Sequence, residues 1–270
     1  MRKIISIILC VLLFGAPVGA KEPIKVIHKQ AGVWIFKINT KKLGDKIKPL
    51  AVEELTAPKV IFDEGQYRFV LNGGFFDMKT GGEISYVIID GKEVQSPYNN
   101  DKLINDLEQA ERLDAVLSRG EFRILEKNSN GKLKFEIARH DAPVKNGYTI
   151  KHSLQAGPVI APKMDLVGES FVKYNDKGRV TFEAASATKR RERTVLALKG
   201  HHLYAIVFTD VNKKTMNELR FYCNKKRFKH ALALDGGGST AVYFDDIEIY
   251  SEGTKQNQGR KVKSLLVIEK

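Results

Sequence analysis

The stretch of this chain best suited to chemistry is Ala231-Leu232-Ala233-Leu234-Asp235-Gly236-Gly237-Gly238-Ser239-Thr240. Its apolar half reads as a strand buried on both faces, which delivers Asp235 at its carboxyl end. A carboxylate placed there can serve as base, nucleophile or orienter. Gly236, Gly237 and Gly238 can turn successive amides toward an anionic oxygen, forming a nest. The alternative is a tight glycine turn in which Asp235 bonds the loop's own amides.

Three other segments combine polar side chains with bent backbone. In Asn72-Gly73-Gly74-Phe75-Phe76-Asp77, two glycines permit positive φ or close approach to a ligand, while Asn72 and Asp77 supply polar groups. The same residues also suit a hairpin turn with two aromatic plugs. In Gln155-Ala156-Gly157-Pro158-Val159-Ile160, Gln155 precedes an apolar strand whose entry is bent by Gly157 and Pro158. It could hydrogen-bond sugar hydroxyls or simply be solvated. The run Arg190-Arg191-Glu192-Arg193-Thr194 leads into another strand, and Arg193 lies closest to it. A guanidinium fixed at a strand mouth suits bidentate capture of phosphate or carboxylate.

Several standard constellations are absent from the sequence. It has no phosphate loop ending in Lys-Ser/Thr, and GGGST is not the G-x-S-x-G of a serine-hydrolase elbow. No H-E-x-x-H helix or paired C-x-x-C occurs, which argues against zinc. A protease-like or peptidoglycan-modifying reading needs a nucleophile–histidine pair. His152 and His230 alone stand near a motif, and neither pairs convincingly with Ser239. No cofactor is expected. Asp77, Asp235, Asp245 and Asp246 could offer oxygen ligands without calcium-loop spacing, so a divalent cation stays an open alternative.

The elements that must position these residues are mostly strands. Apolar, β-branched and aromatic runs fall at 24–28, 33–38, 68–72, 84–89, 122–125, 133–138, 195–198, 203–208, 231–234, 241–244 and 265–268, separated by turn residues. Thr215-Met216-Asn217-Glu218 is a capping-box pattern. Met216, Leu219 and Cys223 then give a helix one short apolar face that ends near Lys225-Lys226-Arg227. Cys223 on that face reads as core. Residues 102–119, with Leu103, Leu107 and Leu113, suggest a second helix, and residues 188–192 and 251–263 read as solvated loops. The fold class is α+β: a single mixed α/β domain over residues 21–270 with a largely β core and a few packed helices.

Residues 1–20 have the layout of a secretory signal peptide: Arg2 and Lys3, an apolar run, then small residues ending Val18-Gly19-Ala20. The apolar run is short for a membrane span. Cleavage would leave Cys223 as the sole cysteine and reduce the net charge from +13 to +11. An exported chain without disulfides fits a bacterial periplasmic or secreted protein. With 270 residues, 43% of them hydrophobic, disorder and a disulfide-stapled scaffold are both excluded. The positive charge suggests a polyanionic partner, whether nucleic acid, an anionic membrane face or a phosphorylated or acidic glycan, unless lysine-rich stretches such as Lys225–Lys229 are simply solvated. Export lowers the nucleic-acid reading and leaves an anionic or phosphorylated glycan as the expected partner.

Taken together and in order, NGGFFD (72–77), QAGPVI (155–160), RTVLAL (193–198), TMNEL (215–219) and ALALDGGGST (231–240) resemble the phosphodiester glycosidase family. Ala156 and Ala197 depart mildly from it, standing where relatives often have a small hydroxyl residue and a glycine. The resemblance implies an exported hydrolase that cleaves a sugar-1-phosphodiester on its glycosidic side. A phosphate leaves far more readily than a sugar alkoxide, so the general acid of ordinary glycosidases becomes less necessary. On that reading Arg193 and the amides of Gly236–Gly238 stabilise the leaving charge. Asp235 supports an oxocarbenium-like transition state or activates water. Asn72 joins the catalytic set and, with Gln155, holds sugar hydroxyls. Gly73, Gly74 and Gly157 line the site, and Ser239 or Thr240 bonds phosphate or orients Asp235. The alternative is a non-catalytic glycan-binding or exopolysaccharide-assembly protein using the same cleft.

Overall fold

The computed structural model describes residues 22–106, 110–252 and 258–270. The expected signal segment and Leu107 lie outside these residues. Strands dominate and form three larger antiparallel sheets plus a two-stranded ribbon, Val172–Tyr174 with Val180–Glu183.

The first sheet has six strands in the order Ile24–Gln30, Val33–Asn39, His202–Phe208, Arg193–Lys199, His230–Ala233 and Val159–Ala161. Its central strand Arg193–Lys199 is buried over six of its seven residues. That pattern belongs to a strand covered on both faces. Helix Met216–Lys225 supplies part of the cover through Met216, Leu219 and Cys223. The helix forms as its sequence predicts, with the Thr215–Glu218 capping box present in both directions. Burial pushes the Cys223 thiol up to about 12, consistent with a core residue and not a nucleophile.

The second sheet runs Ile247–Tyr250, Ala241–Phe244, Tyr67–Asn72, Val262–Glu269 and Ile47–Thr56. Strand alternation divides its residues between two cores. Phe69, Leu71, Val242, Phe244, Leu266 and Ile268 face the first sheet, where Phe36 meets Phe69 and Phe244 edge-on at 5.4 and 6.0 Å. Val70, Ala241, Tyr243, Leu265 and Val267 face Ile61 of the short helix Pro58–Asp63. The third sheet, Lys92–Gln95, Val87–Ile89, Tyr148–Gln155, Gly120–Lys127 and Leu133–Arg139, adds Phe122, Ile124 and Leu154 to the main core.

Residues 102–119 do not form one helix. They contain the turn-length helices Asp101–Ile104 and Leu113–Leu117 and a 3-10 turn, Ala110–Arg112. Within 84–89 only Val87–Ile89 is strand. Two long strands carried no clear apolar signature. Ile47–Thr56 contains Pro49, Glu53 and Glu54, which an edge strand tolerates. Tyr148–Gln155 buries His152, Ser153 and Gln155 in mid-sheet.

Candidate active site

Asp235 emerges from strand His230–Ala233 at the seam between the first and second sheets. Its backbone is held from two sides. The Asp235 amide donates to the Gly73 carbonyl (3.0 Å), and Asn72 Nδ2 donates to the Asp235 carbonyl (2.7 Å). Asn72 Oδ1 in turn accepts from the Thr194 hydroxyl (2.7 Å) and the Ala241 amide (3.1 Å). Asn72 is fully buried and joins the ends of three strands. It is framework beneath the site, not a substrate contact.

Asp235 opens into a cavity of about 590 Å³. Gly236, Gly237 and Gly238 form one wall, Phe75, Phe76 and Ile84 a second, and Ala184, Ala185 and Ser186 a third. Charged side chains complete it: Arg119, Arg191, Lys213 and Arg260, with Glu192 and Glu252. Burial lifts the Asp235 carboxyl from the ordinary carboxylate range to about 6. The Ser239 hydroxyl, the Gly236 amide and the charges of Arg260 and Arg193 pull it the other way.

The glycine loop is not a free nest. The Gly236 amide donates to Asp235 Oδ1 (2.9 Å), and the Gly237 amide donates to the Glu192 carbonyl (2.9 Å). Two of the three expected donors are thus engaged within the protein, as in the tight-turn alternative. Gly237 has φ of +57° and open space where a side chain would stand, so the loop presents bare backbone to the cavity.

Arg193 reaches the same region from below. It is 1% exposed and does not line the cavity. Nε donates to Lys214 O (2.8 Å), Nη1 to Ala185 O (3.1 Å), and Nη2 to Ser186 O (2.7 Å) and Lys189 O (2.9 Å). Four of its five N–H groups therefore staple the 185–189 wall and Lys214 to the strand, leaving it poorly placed to capture a phosphate. Burial lowers its pKa to about 10, with Asp235 opposing, so it stays protonated at neutral pH. The guanidinium that does face the cavity from this segment is Arg191, which has no carboxylate partner among the described residues. A strand buried on both faces draws its first residue inward, whereas the loop before it remains accessible.

The remaining expected contacts are also framework. Gln155 is fully buried; its Oε1 accepts from the Tyr86 amide (3.2 Å) and its Nε2 donates to Leu117 O (2.6 Å). The Gly73 amide donates to Ser264 O (2.9 Å), and the Gly74 amide to Ser264 Oγ (3.0 Å). A side chain on Gly74 would overlap the Gln155 carbonyl and Ser85, so this glycine serves close packing and not ligand approach. The Gly157 amide donates to Ala233 O (3.0 Å), and a Cβ there would meet Glu169 at 2.9 Å. Ser239 and Thr240 are fully buried and outside the cavity lining, so neither is placed to bond phosphate, while the Ser239 hydroxyl lies against the Asp235 carboxyl in the orienting role expected of it.

Sequence reasoning missed Arg119, Lys213 and Arg260. Arg119 packs its guanidinium 4.1 Å from the centre of the Phe171 ring and donates to Glu169 O and Ser170 O (both 2.9 Å). It also lines an adjoining cavity of about 160 Å³ that includes Asp77 and Lys102. Burial lowers its pKa to about 10. Arg260 pairs with Glu252 (Nε to Oε2, 2.7 Å) across Gly238, so the 251–263 segment is partly a cavity wall and not wholly a solvated loop. Lys213 pairs with Glu192 at 3.1 Å. No motif marks these residues; isolated cations in loops carry no periodic signal. Of the four aspartates weighed as cation ligands, Asp77 accepts from the Lys79 amide (2.8 Å) and Lys102 (2.6 Å), while Asp245 pairs with Arg68 at 3.4 Å.

Comparison with known proteins agrees with this architecture. The model of the family described as phosphodiester glycosidase matches residues 65–269. No curated protein matches. The fold resembles the zebrafish N-acetylglucosamine-1-phosphodiester alpha-N-acetylglucosaminidase catalytic domain, auto-inhibited by its pro-peptide, with TM-score 0.61 and 15% identity over 92% of this chain and 81% of that one. It also resembles a hypothetical protein from Synechocystis (TM-score 0.57, 13% identity, 92% and 61% covered). A Burkholderia pseudomallei protein whose name describes it as exported aligns with TM-score 0.55 and 10% identity over 88% and 74%. Among the described residues, no helix is long and apolar enough to cross a membrane.

Proposed function

Because the chain belongs to the phosphodiester glycosidase family, we propose that the cavity at Asp235 hydrolyses a sugar-1-phosphodiester on its glycosidic side. The observation that carries this reading is a half-buried carboxyl, raised by desolvation to about 6, that opens into one cavity with four cationic side chains among the described residues. A carboxyl of that pKa is largely ionised at neutral pH yet basic enough to take a proton from water. Its negative charge also favours an oxocarbenium-like transition state.

The leaving phosphodiester needs charge stabilisation more than a proton. Arg191 is the cation best placed for it, since its guanidinium faces the cavity without an internal carboxylate partner. Arg119, Lys213 and Arg260 add positive field while making the protein contacts described above. Phe75, Phe76 and Ile84 offer an apolar wall for a sugar face. Asn72 and Arg193 act one step back, the first fixing the Asp235 backbone and the second fixing the wall and adding charge near the carboxyl. Export to the periplasm or exterior of a bacterium, and an envelope or extracellular glycan as substrate, belong to the same proposal.

The test is product analysis by mass spectrometry on a panel of sugar-1-phosphodiesters. Release of free sugar and a phosphomonoester supports the reading, with Asp235→Asn abolishing it. Release of an alcohol and a sugar phosphate puts the cut on the other side of phosphorus and refutes it. Saturable binding without any product, unchanged in Asp235→Asn, would favour the glycan-binding alternative.

A further inference from the structure

We propose that a second, larger groove, at the opposite end of strand Arg193–Lys199, holds an extended anionic glycan chain. This groove measures about 840 Å³. Its sides come from three places: the segment around Thr40–Asp45, the turn joining strands Gly120–Lys127 and Leu133–Arg139, and the turn at Gly200 and His201. The strand has seven residues, so about 20 Å of extended chain separates its two ends. The groove is therefore distinct from the Asp235 cavity and shares no lining residue with it.

Four lysines line the groove, Lys41, Lys127, Lys132 and Lys134, against one acid, Asp45. Lys134 pairs with Glu136 at 2.9 Å. Lys41, Lys127 and Lys132 have no carboxylate partner among the described residues. Unneutralised like charges around one concavity focus a positive potential, which draws a polyanion and concentrates it there. A single small anion would leave most of the groove empty, whereas a chain with repeated phosphates or carboxylates meets several ammoniums at once.

The lining distinguishes among polyanions. Single-stranded nucleic acid binds through open aromatic faces on which bases stack. Two aromatic residues line the groove: the Tyr148 ring already has the Lys134 and Lys145 ammoniums 5.8 and 5.9 Å from its centre, and the Phe135 ring packs on Phe122 with centres 6.1 Å apart. An anionic membrane surface is held jointly by basic residues and inserted apolar side chains. Among the described residues, none of the exposed large hydrophobics borders this groove. A hydrophilic chain carrying anionic groups fits both observations. The choice of a glycan rests on the reaction proposed for the Asp235 cavity; the preference for a polyanion does not.

The test uses the full chain and phosphorylated dextran, with unmodified dextran as the neutral control, by titration calorimetry at low and high salt. Expected are binding of the phosphorylated polymer alone, loss of that binding at high salt, and weakening by about tenfold or more in K41E/K127E/K132E. The gentler K41Q/K127Q/K132Q should weaken binding in the same direction. K225E/K226E/K229E, with an identical change of net charge elsewhere, should bind nearly as wild type. Equal weakening by both charge-reversed variants, equal binding of neutral dextran, or tighter binding of single-stranded DNA or anionic vesicles would overturn the proposal. Hydrolysis of small sugar-1-phosphodiesters should be unchanged in the groove variants, and Asp235→Asn should still bind phosphorylated dextran. Binding that follows this pattern in a protein with no hydrolytic activity would refute the reaction and leave the groove standing.

Discussion

Asn72 donates its side-chain amide to the backbone carbonyl of Asp235 at 2.7 Å, while its side-chain oxygen accepts from Thr194 and Ala241. The position of the candidate catalytic carboxyl is thus set by a residue 163 positions earlier in the chain. Asn72→Ala should leave three buried polar groups without partners and destabilise the fold by about 2–4 kcal/mol. Urea unfolding measures this. In the fraction that stays folded, kcat should fall more than KM rises, because the carboxyl is displaced and the cavity walls are not.

Asp235 carries a stability cost that its removal should reveal. Its native pKa of about 6 lies above the unfolded value of 3.8, so the native state binds more protons between those values. Its contribution to stability therefore falls as pH rises through that window and stays lost above it. Asp235→Asn should be more stable than wild type at pH 7 by about 1–3 kcal/mol, with the difference vanishing near pH 3. An Asn variant no more stable at pH 7 than at pH 3, relative to wild type, would show that the carboxyl is not perturbed by burial.

The same group should shape the rate. If Asp235 acts in its ionised form, kcat/KM for a sugar-1-phosphodiester rises with pH and levels off above an apparent pKa of about 6. A pH–rate profile measures it. An acid limb near the ordinary carboxylate value of about 4 would assign the base to another residue.

The two arginines of one short segment should separate cleanly. Arg193→Ala removes four bonds to backbone carbonyls and should destabilise the fold by several kcal/mol. Arg191→Ala, at an exposed position, should leave unfolding within about 0.5 kcal/mol of wild type while slowing turnover by about 10²-fold or more. Thermal unfolding together with steady-state kinetics distinguishes these outcomes.

How far the sequence reveals the molecule depends on how each residue announces itself. The apolar strands and the Thr215-capped helix are legible because their signals are local: periodicity, propensity and a cap. Asp235 is legible because a strand end followed by glycines is an unusual place for a carboxylate. The roles of Asn72, Gln155 and Arg193 are not. Each stands beside a motif and looks like a ligand-binding side chain, but its hydrogen bonds go to protein groups, mostly backbone, that only the fold brings to it. Arg119 and Arg260 are the converse case. Each is an unremarkable cation in sequence and becomes a wall of the cavity only when the sheets meet. Tyr148–Gln155 escapes detection for a related reason: buried His152, Ser153 and Gln155 break its alternation, and His152 and Gln155 find their partners at Asp90, Tyr86 and Leu117, outside the paired strands.

The anchoring of the 185–189 segment by Arg193 bears on how a ligand enters. A wall tied at Ala185, Ser186 and Lys189 by one interior guanidinium cannot swing outward without stranding a charge away from water. Such a mouth is preorganised: a molecule arriving there need not purchase order from a flapping lid, and its affinity reflects shape and charge alone.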